Sequence, residues 1–228
     1  MRTQLKPFEA GAEKNPTIRD GVIKLFGYEI DVNASEILLQ IDEFTEEAMA
    51  EHFDVKTAEW WVEDGWAVGK NPQMNPGMLV SKKDFFGDII LELKAKMVAP
   101  STHDINIMIC GEWTEKGRGN AYVTGLEAFW HGNIGFEKSP EYKLTIGTQL
   151  LDFDPTKEYK LQFGAIGRKI FVLVDERIAL EITDPDPIDS NKYGKIGFEA
   201  FSSWWKFKDL KVYRPKYELI GEYYNPEF

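Results

Sequence analysis

Residues 125–135 read GLEAFWHGNIG, and a carboxyl group, an indole and an imidazole fall within five of those positions: Glu127, Trp130 and His131. On an extended strand Glu127 shares a face with Val123 and Phe129, so its carboxylate is either half-buried or turned into a groove. An unpaired charge is costly to bury, so a carboxylate there calls for a partner, a raised pKa or a metal ion. His131 sits at the strand's end just before Gly132, where a side chain can fold back over the mouth of a sheet. An imidazole, with its ordinary pKa of about 6.5, transfers protons readily at neutral pH. His103, in PSTHDIN, precedes a further strand and is the third candidate for a catalytic or metal-binding group. The plain alternative is a carboxylate satisfied by backbone or lysine, with loop histidines beside a packed tryptophan. Sequence separation leaves both readings open.

Other residues could hold a ligand. Seven tryptophans include two doublets, Trp60–Trp61 and Trp204–Trp205. Neighbours on a strand face opposite ways, so one member of each doublet faces the core and the other lies outside, where a sugar ring can stack. Trp204 is taken as a candidate of this kind, beside Trp130. The stretch GEWTEKGRGNAY carries Glu112, Glu115 and Arg118 in a glycine-flanked hairpin loop, which is either a solvated turn or a rim that grips substrate. His52 has no Cys, His or carboxylate at metal spacing on its face, and DPDPID lacks the regular ligand spacing of a calcium loop.

Strands must position these groups. DIILELKAKM places Ile89, Leu91, Leu93, Ala95 and Met97 on one face and Ile90, Glu92, Lys94 and Lys96 on the other; VIKLFGYEIDV, EYKLQFGAI, KIFVLVD and RIALEIT follow the same period of two. EDG, KNPQMNPG, EKGRGN, DPTKE and TDPDPIDSNKYG mark the turns between them. One short helix is expected in DEFTEEAMAEHFDV, with Thr45 as N-cap and acidic residues in its first turn. Many short strands, one helix and no βαβ alternation predict an all-β fold: a two-sheet antiparallel jelly-roll sandwich spanning residues 1–228 as one domain, with 1–20 and 216–228 as extended arms. The arm ending in NPEF also offers a surface for another subunit, so oligomerisation is open.

The totals narrow the partners. A net charge of −11 opposes binding to phosphate backbones and anionic membrane surfaces, so neither nucleic acid nor membrane is expected. The single cysteine, Cys110, lies in the apolar run INIMIC and reads as a buried, inert thiol. The N-terminal stretch has no hydrophobic signal region, from which a cytoplasmic location is expected. No organic cofactor is indicated.

Four stretches together resemble the 3-keto-disaccharide hydrolase family and related concanavalin A-like lectin and glucanase jelly rolls. They are WWVEDGWAVGKN, GMLVSKKDFFGDIILELKAKM, GLEAFWHGNIG and RIALEITDPDPIDSNKYGKIGFEAFSSWWKFKDLKVYRP, in that order over residues 60–214. Where that family reads tyrosine–glutamate–X–glutamine this chain has Leu126-Glu127-Ala128-Phe129, so Glu127 and Asn106 are the positions that carry over. The resemblance implies a glycoside-cleaving enzyme, a hydrolase or lyase. A sugar oxidised at C3 has an acidified C2 proton; a base removes it, and the C1 substituent leaves. In that chemistry His131 is the base, Glu127 an acid or metal ligand, and Asn106 and Trp130 hold the sugar, with a divalent metal ion of unspecified identity polarising the keto oxygen. The Glu-X-Asp-X-X-Glu strand of retaining glucanases is absent, which disfavours a two-carboxylate glycosidase. The second reading is a non-catalytic, lectin-like saccharide-binding domain, which needs only aromatic platforms and polar groups.

Overall fold

The structure is a computed structural model, and it describes residues 18–127, 134–148 and 153–220. Strands alternate with tight turns from the first described residue. They begin with β1 (Ile18–Arg19), β2 (Val22–Leu25), β3 (Tyr28–Ile41), β4 (Phe53–Val55), β5 (Glu59–Glu63), β6 (Trp66–Asn71) and β7 (Gly77–Ser81). Next come β8 (Ile89–Met97), β9 (Ile105–Gly111), β10 (Trp113–Thr114), β11 (Gly117–Arg118), β12 (Ala121–Leu126), β13 (Ile134–Ser139) and β14 (Thr145–Thr148). The last are β15 (Tyr159–Ile166), β16 (Lys169–Val174), β17 (Arg177–Thr183), β18 (Lys195–Ala200) and β19 (Ser203–Leu219). Every pairing is antiparallel. One sheet of ten strands runs β1-β2-β3-β19-β8-β15-β16-β17, with β6 also on β19 and β5 on β6; a second of seven runs β14-β13-β12-β9-β18-β7-β4. The two pack face to face as the jelly-roll sandwich expected from the sequence.

Period-two alternation builds this core. The predicted face of β8 (Ile89, Leu91, Leu93, Ala95, Met97) is buried between the sheets against Ile105, Ile107 and Ile109 of β9. Burying each such side chain stabilises the fold by roughly 1.5–3 kcal/mol. Both tryptophan doublets split as their strand positions require. Trp60 and Trp205 turn inward and meet edge-to-face at 6.0 Å, while Trp61 and Trp204 lie outside, 6.2 Å apart. Phe198 and Phe207 close the space between the sheets, their rings 4.0 Å apart.

The helix α1 (Glu46–His52) connects β3 to β4; Thr45 Oγ1 accepts from Ala48 N at 3.1 Å, and Met49 anchors it in the core. The hairpin between β5 and β6 turns on Asp64 and Gly65, both at positive φ (51° and 77°), as a two-residue turn demands. Residues 216–219, expected in an arm, instead pair in β19 with Tyr28–Asp31 of β3. The first seventeen residues and the last eight lie outside the described residues. Cys110 is buried, and burial pushes its thiol up to about 12.

Candidate functional site

Two apolar patches cover the outer faces of the sandwich, and one of them leads to polar chemistry. On the seven-stranded sheet, Met78, Val80, Met108, Ala121 and Val123 form a layer on which Trp113 packs. The small hairpin β10–β11 therefore folds down over this face and carries Arg118 with it.

Next to that layer the outward positions turn polar. Ile105, Ile107, Phe198 and Ala200 point into the core, so Asn106 of β9 and Glu199 of β18 point out, and the two are paired in register. Asn106 pairs in turn with Gly125, Gly125 with Gly135, and Gly135 with Gly147. Three glycines in one row leave the floor beside Asn106 free of side chains. At Gly125 this is required: a Cβ there would lie 1.9 Å from Asn106 Oδ1.

Four charged groups converge over this floor. Arg118 is paired with Glu199 through Nη1 and with Glu137 of β13 through Nη2, the latter at 3.1 Å, and Nη2 also donates to the Tyr142 hydroxyl at 3.3 Å. Asn106 Nδ2 donates to Asp104 Oδ1 at 2.6 Å and to Glu199 Oε1 at 3.4 Å. Since 2.6 and 3.4 Å meet at one nitrogen, the Asp104 and Glu199 oxygens lie no more than about 6 Å apart. Pro76, Phe201 and Tyr142 wall a cavity of about 380 Å³ above Asn106, Arg118, Glu137 and Glu199, within the size range of small-ligand sites. A larger hollow of about 450 Å³ lies beyond the turn at 140–144. There Lys138 is already paired with the buried Asp184 at 3.0 Å, so much of its charge is spent within the protein.

Burial sets the protonation of the cluster. Desolvation raises the Asp104 carboxyl to about 8, and Glu199 adds to that. Glu199 and Glu137 are also raised, each mainly by desolvation; Arg118 works against both shifts, and Asn106 also works against that of Glu199. For Arg118 burial opposes the charge, yet its neighbours, Glu199 first, hold its pKa above the ordinary value. With its carboxyl raised to about 8, Asp104 keeps its proton at neutral pH, because burying its charge beside Glu199 costs more than retaining the proton.

The residues singled out in the sequence fall in different places. Asn106 is in the cluster, 5% exposed. Glu127 stands one residue beyond β12, half-buried, with φ of 54°, and two positions after Gly125. His103 is half-buried in the bend before β9, next to Asp104. His131 and Trp130 lie outside the described residues, so their approach to Glu127 does too. Glu112 accepts from Asn120 N and Nδ2 at 3.0 and 2.8 Å, and so fastens the loop that delivers Arg118. Trp204 is on the outer face of the ten-stranded sheet, across the sandwich from Asn106; one ligand ring cannot touch both. Among the described residues, no group of three or more His, Cys, Asp or Glu is arranged to hold a metal ion. Asp104, Glu137 and Glu199 were not singled out from the sequence. They come from three strands or strand entrances, and an outward Glu on a β-strand reads as solvated unless its cross-strand neighbours are known.

No protein-family model matches the chain, and no curated protein matches it. Solved structures do. The carbohydrate-binding module CBM66 from Bacillus subtilis aligns with a TM-score of 0.60 at 16% identity, covering 72% of this chain and 96% of its own. A Bacillus subtilis protein of unknown function with a galectin-like fold gives 0.61 at 13%, covering 79% and 96%. The endo-β-1,3-glucanase from Pyrococcus furiosus gives 0.59 at 11%, covering 87% and 99%. At such identities the likeness establishes the fold: this chain is a jelly-roll sandwich of the type shared by galectin-like proteins, carbohydrate-binding modules and glucanases.

Proposed function

We propose that the protein acts on saccharides at the outer face of the seven-stranded sheet and cleaves a glycosidic bond there by carboxyl acid–base chemistry. The observation that carries this reading is the convergence of Asp104, Glu137 and Glu199 on Asn106 and Arg118 beside a cavity of ligand size, with burial raising all three carboxyls. A buried carboxyl that stays protonated at pH 7 is a general acid, and the carboxylate held by Arg118 and Asn106 is the complementary anion. Two of the structural neighbours, a carbohydrate-binding module and an endo-glucanase, handle saccharides on the same fold. In this reading Glu137 and Glu199, which face the cavity, act on the sugar, Asp104 holds the proton reserve, and Tyr142, 49% exposed at the rim, offers a stacking surface. The finer chemistry, removal of a C2 proton from a 3-keto-glycoside by His131 with Glu127 and a divalent ion assisting, belongs to the same proposal and has its own arm in the test.

The test is a turnover screen of neutral glycosides, native and oxidised at C3, with and without chelator. Glu199→Gln is expected to reduce kcat by at least about a hundredfold, the scale of one acid–base step. Glu127→Gln removes turnover of 3-keto substrates, with little change in Tm, if the imidazole chemistry operates. Full activity in both variants overturns the assignment of either glutamate. A second reading rests on a specific observation: both Glu199 oxygens are already engaged, by Arg118 and Asn106, as in a rigid binding floor. Neutral oligosaccharide binding without turnover of any glycoside establishes that lectin-like role in place of catalysis.

A further inference from the structure

The opposite side of the sandwich carries charge of the other sign. On the ten-stranded sheet the outward residues of β6, β19 and β8 stand side by side. Trp204 is in register with Lys70, Lys206 with Val68 and Lys96, and Lys208 with Lys94. Strands lie about 4.8 Å apart and same-face residues about 6.8 Å apart along each, so these side chains form a dense lattice. Lys96, Lys206 and Lys208 hold their ammonium groups 5.6, 4.9 and 4.8 Å from the ring of a single indole, Trp66, and Lys70 sits 4.5 Å from the ring of Trp204.

Cation–π contact accounts for part of this arrangement, at about 0.5–1 kcal/mol for each exposed pair. It does not remove the repulsion among three ammoniums gathered on one ring. Their neighbour Lys94 shows how the chain handles a lysine meant to be neutralised: Asp209 pairs with it at 2.9 Å and Glu158 at 3.9 Å. Among the described residues, Lys70, Lys96, Lys206 and Lys208 have no such ion pair. Glu59 and Glu63 lie on the same face at its margin on β5, in register with Lys70 and Trp66, and are exposed. In a chain of net charge −11, a concentrated positive lattice is the exception. Beside it, Trp61 and Trp204 present two half-buried indoles inclined at 55°, an apolar step next to the charge.

We propose that this face is a second binding site, for a saccharide chain bearing carboxylate or sulfate groups. Its sugar rings pack on Trp61 and Trp204, and its anionic groups lie over Lys70, Lys96, Lys206 and Lys208. Rings on aromatic faces with charges on a fixed lattice distinguish such a ligand from an acidic polypeptide, whose charged side chains carry no ring to stack. The site is separate from the carboxylate cluster, whose negative charge repels the same ligand, so the two proposals stand or fall independently.

Binding of oligogalacturonate, of a sulfated dextran oligosaccharide and of neutral dextran is measured by calorimetry on the full chain at low and high salt, with polyglutamate as the peptide control. One or both anionic saccharides are expected to bind, the stronger arm identifying the group, and to weaken as salt rises and the Debye length shrinks. Lys206→Gln/Lys208→Gln is expected to weaken binding at least about tenfold and Lys206→Arg/Lys208→Arg to restore it, as charge rather than shape demands. Trp204→Ala weakens it further, and Glu199→Gln leaves it unchanged. The proposal is overturned if neither anionic saccharide binds, if polyglutamate binds equally well, or if the lysine variants bind as the parent does.

Discussion

Asp104 concentrates the energetics of the site in one side chain. It is 3% exposed, carries a positive φ of 77°, and its carboxyl is raised to about 8 by desolvation. A carboxyl whose pKa is higher in the folded than in the unfolded chain binds more protons when folded. Stability from this group is therefore fully present below the unfolded value of about 4 and is lost progressively as the pH rises to about 8. Asp104→Asn removes that loss. Its Tm is expected to match the parent's near pH 4, to exceed it by several degrees at pH 8, and to stay level above that, as differential scanning calorimetry across pH would show. An equal effect at every pH would mean that Asp104 is ionised in the folded protein. Arg118 supplies the counterweight to the neighbouring Glu199 and Glu137, and its side chain is only 8% exposed. Asp104 also explains a gap in the sequence reading. His103 attracted attention as a titratable group, while the residue beside it was the buried one, and nothing in PSTHDIN distinguishes them before the cross-strand neighbours are known.

At the level of strands and hairpins, the site depends on two devices. One is the flat floor made by Gly125, Gly135 and Gly147 in register; the other is the β10–β11 hairpin, seated by Trp113 and fastened by Glu112. Gly125→Ala thrusts a methyl at the Asn106 amide, 1.9 Å from its oxygen before any relaxation. Overpacking of this kind costs about 1–3 kcal/mol. Denaturant titration should show that loss, and saccharide binding at the cluster should fall further than stability does, because Asn106 must move; unchanged binding would place the ligand elsewhere. The strands themselves were legible because burial on one face writes a period of two into most of β8, and the helix was legible from Thr45 and its acidic first turn. Asn106 was found through a family resemblance. Its partners were not, since Glu137 and Glu199 reach it across strands far apart in the chain. The absence of a Glu-X-Asp-X-X-Glu strand excluded carboxyls gathered on one strand, and said nothing of carboxyls gathered from several.

For the molecule as a whole, the sandwich separates two chemistries by its own thickness: acids and glycines on one outer face, lysines and indoles on the other. The tryptophan doublets show how the sequence anticipated this. Alternation required one indole inside and one outside at each pair, yet only the sheet order reveals that Trp61 and Trp204 meet on the same face. That order depends on β19, which joins β8 on one side and both β6 and β3 on the other. Lys216 N donates to Ser35 Oγ across 181 residues of chain. A ribosome therefore releases β3 and β6 long before this partner exists, and each must wait with one edge open to neighbours while β2 and β5 cover the other. A version ending at residue 202 is expected to remain without cooperative thermal unfolding and to aggregate, whereas the full chain unfolds in one transition; near-ultraviolet dichroism and light scattering would distinguish the two. Closure of the ten-stranded sheet is thus deferred until β19 has left the ribosome.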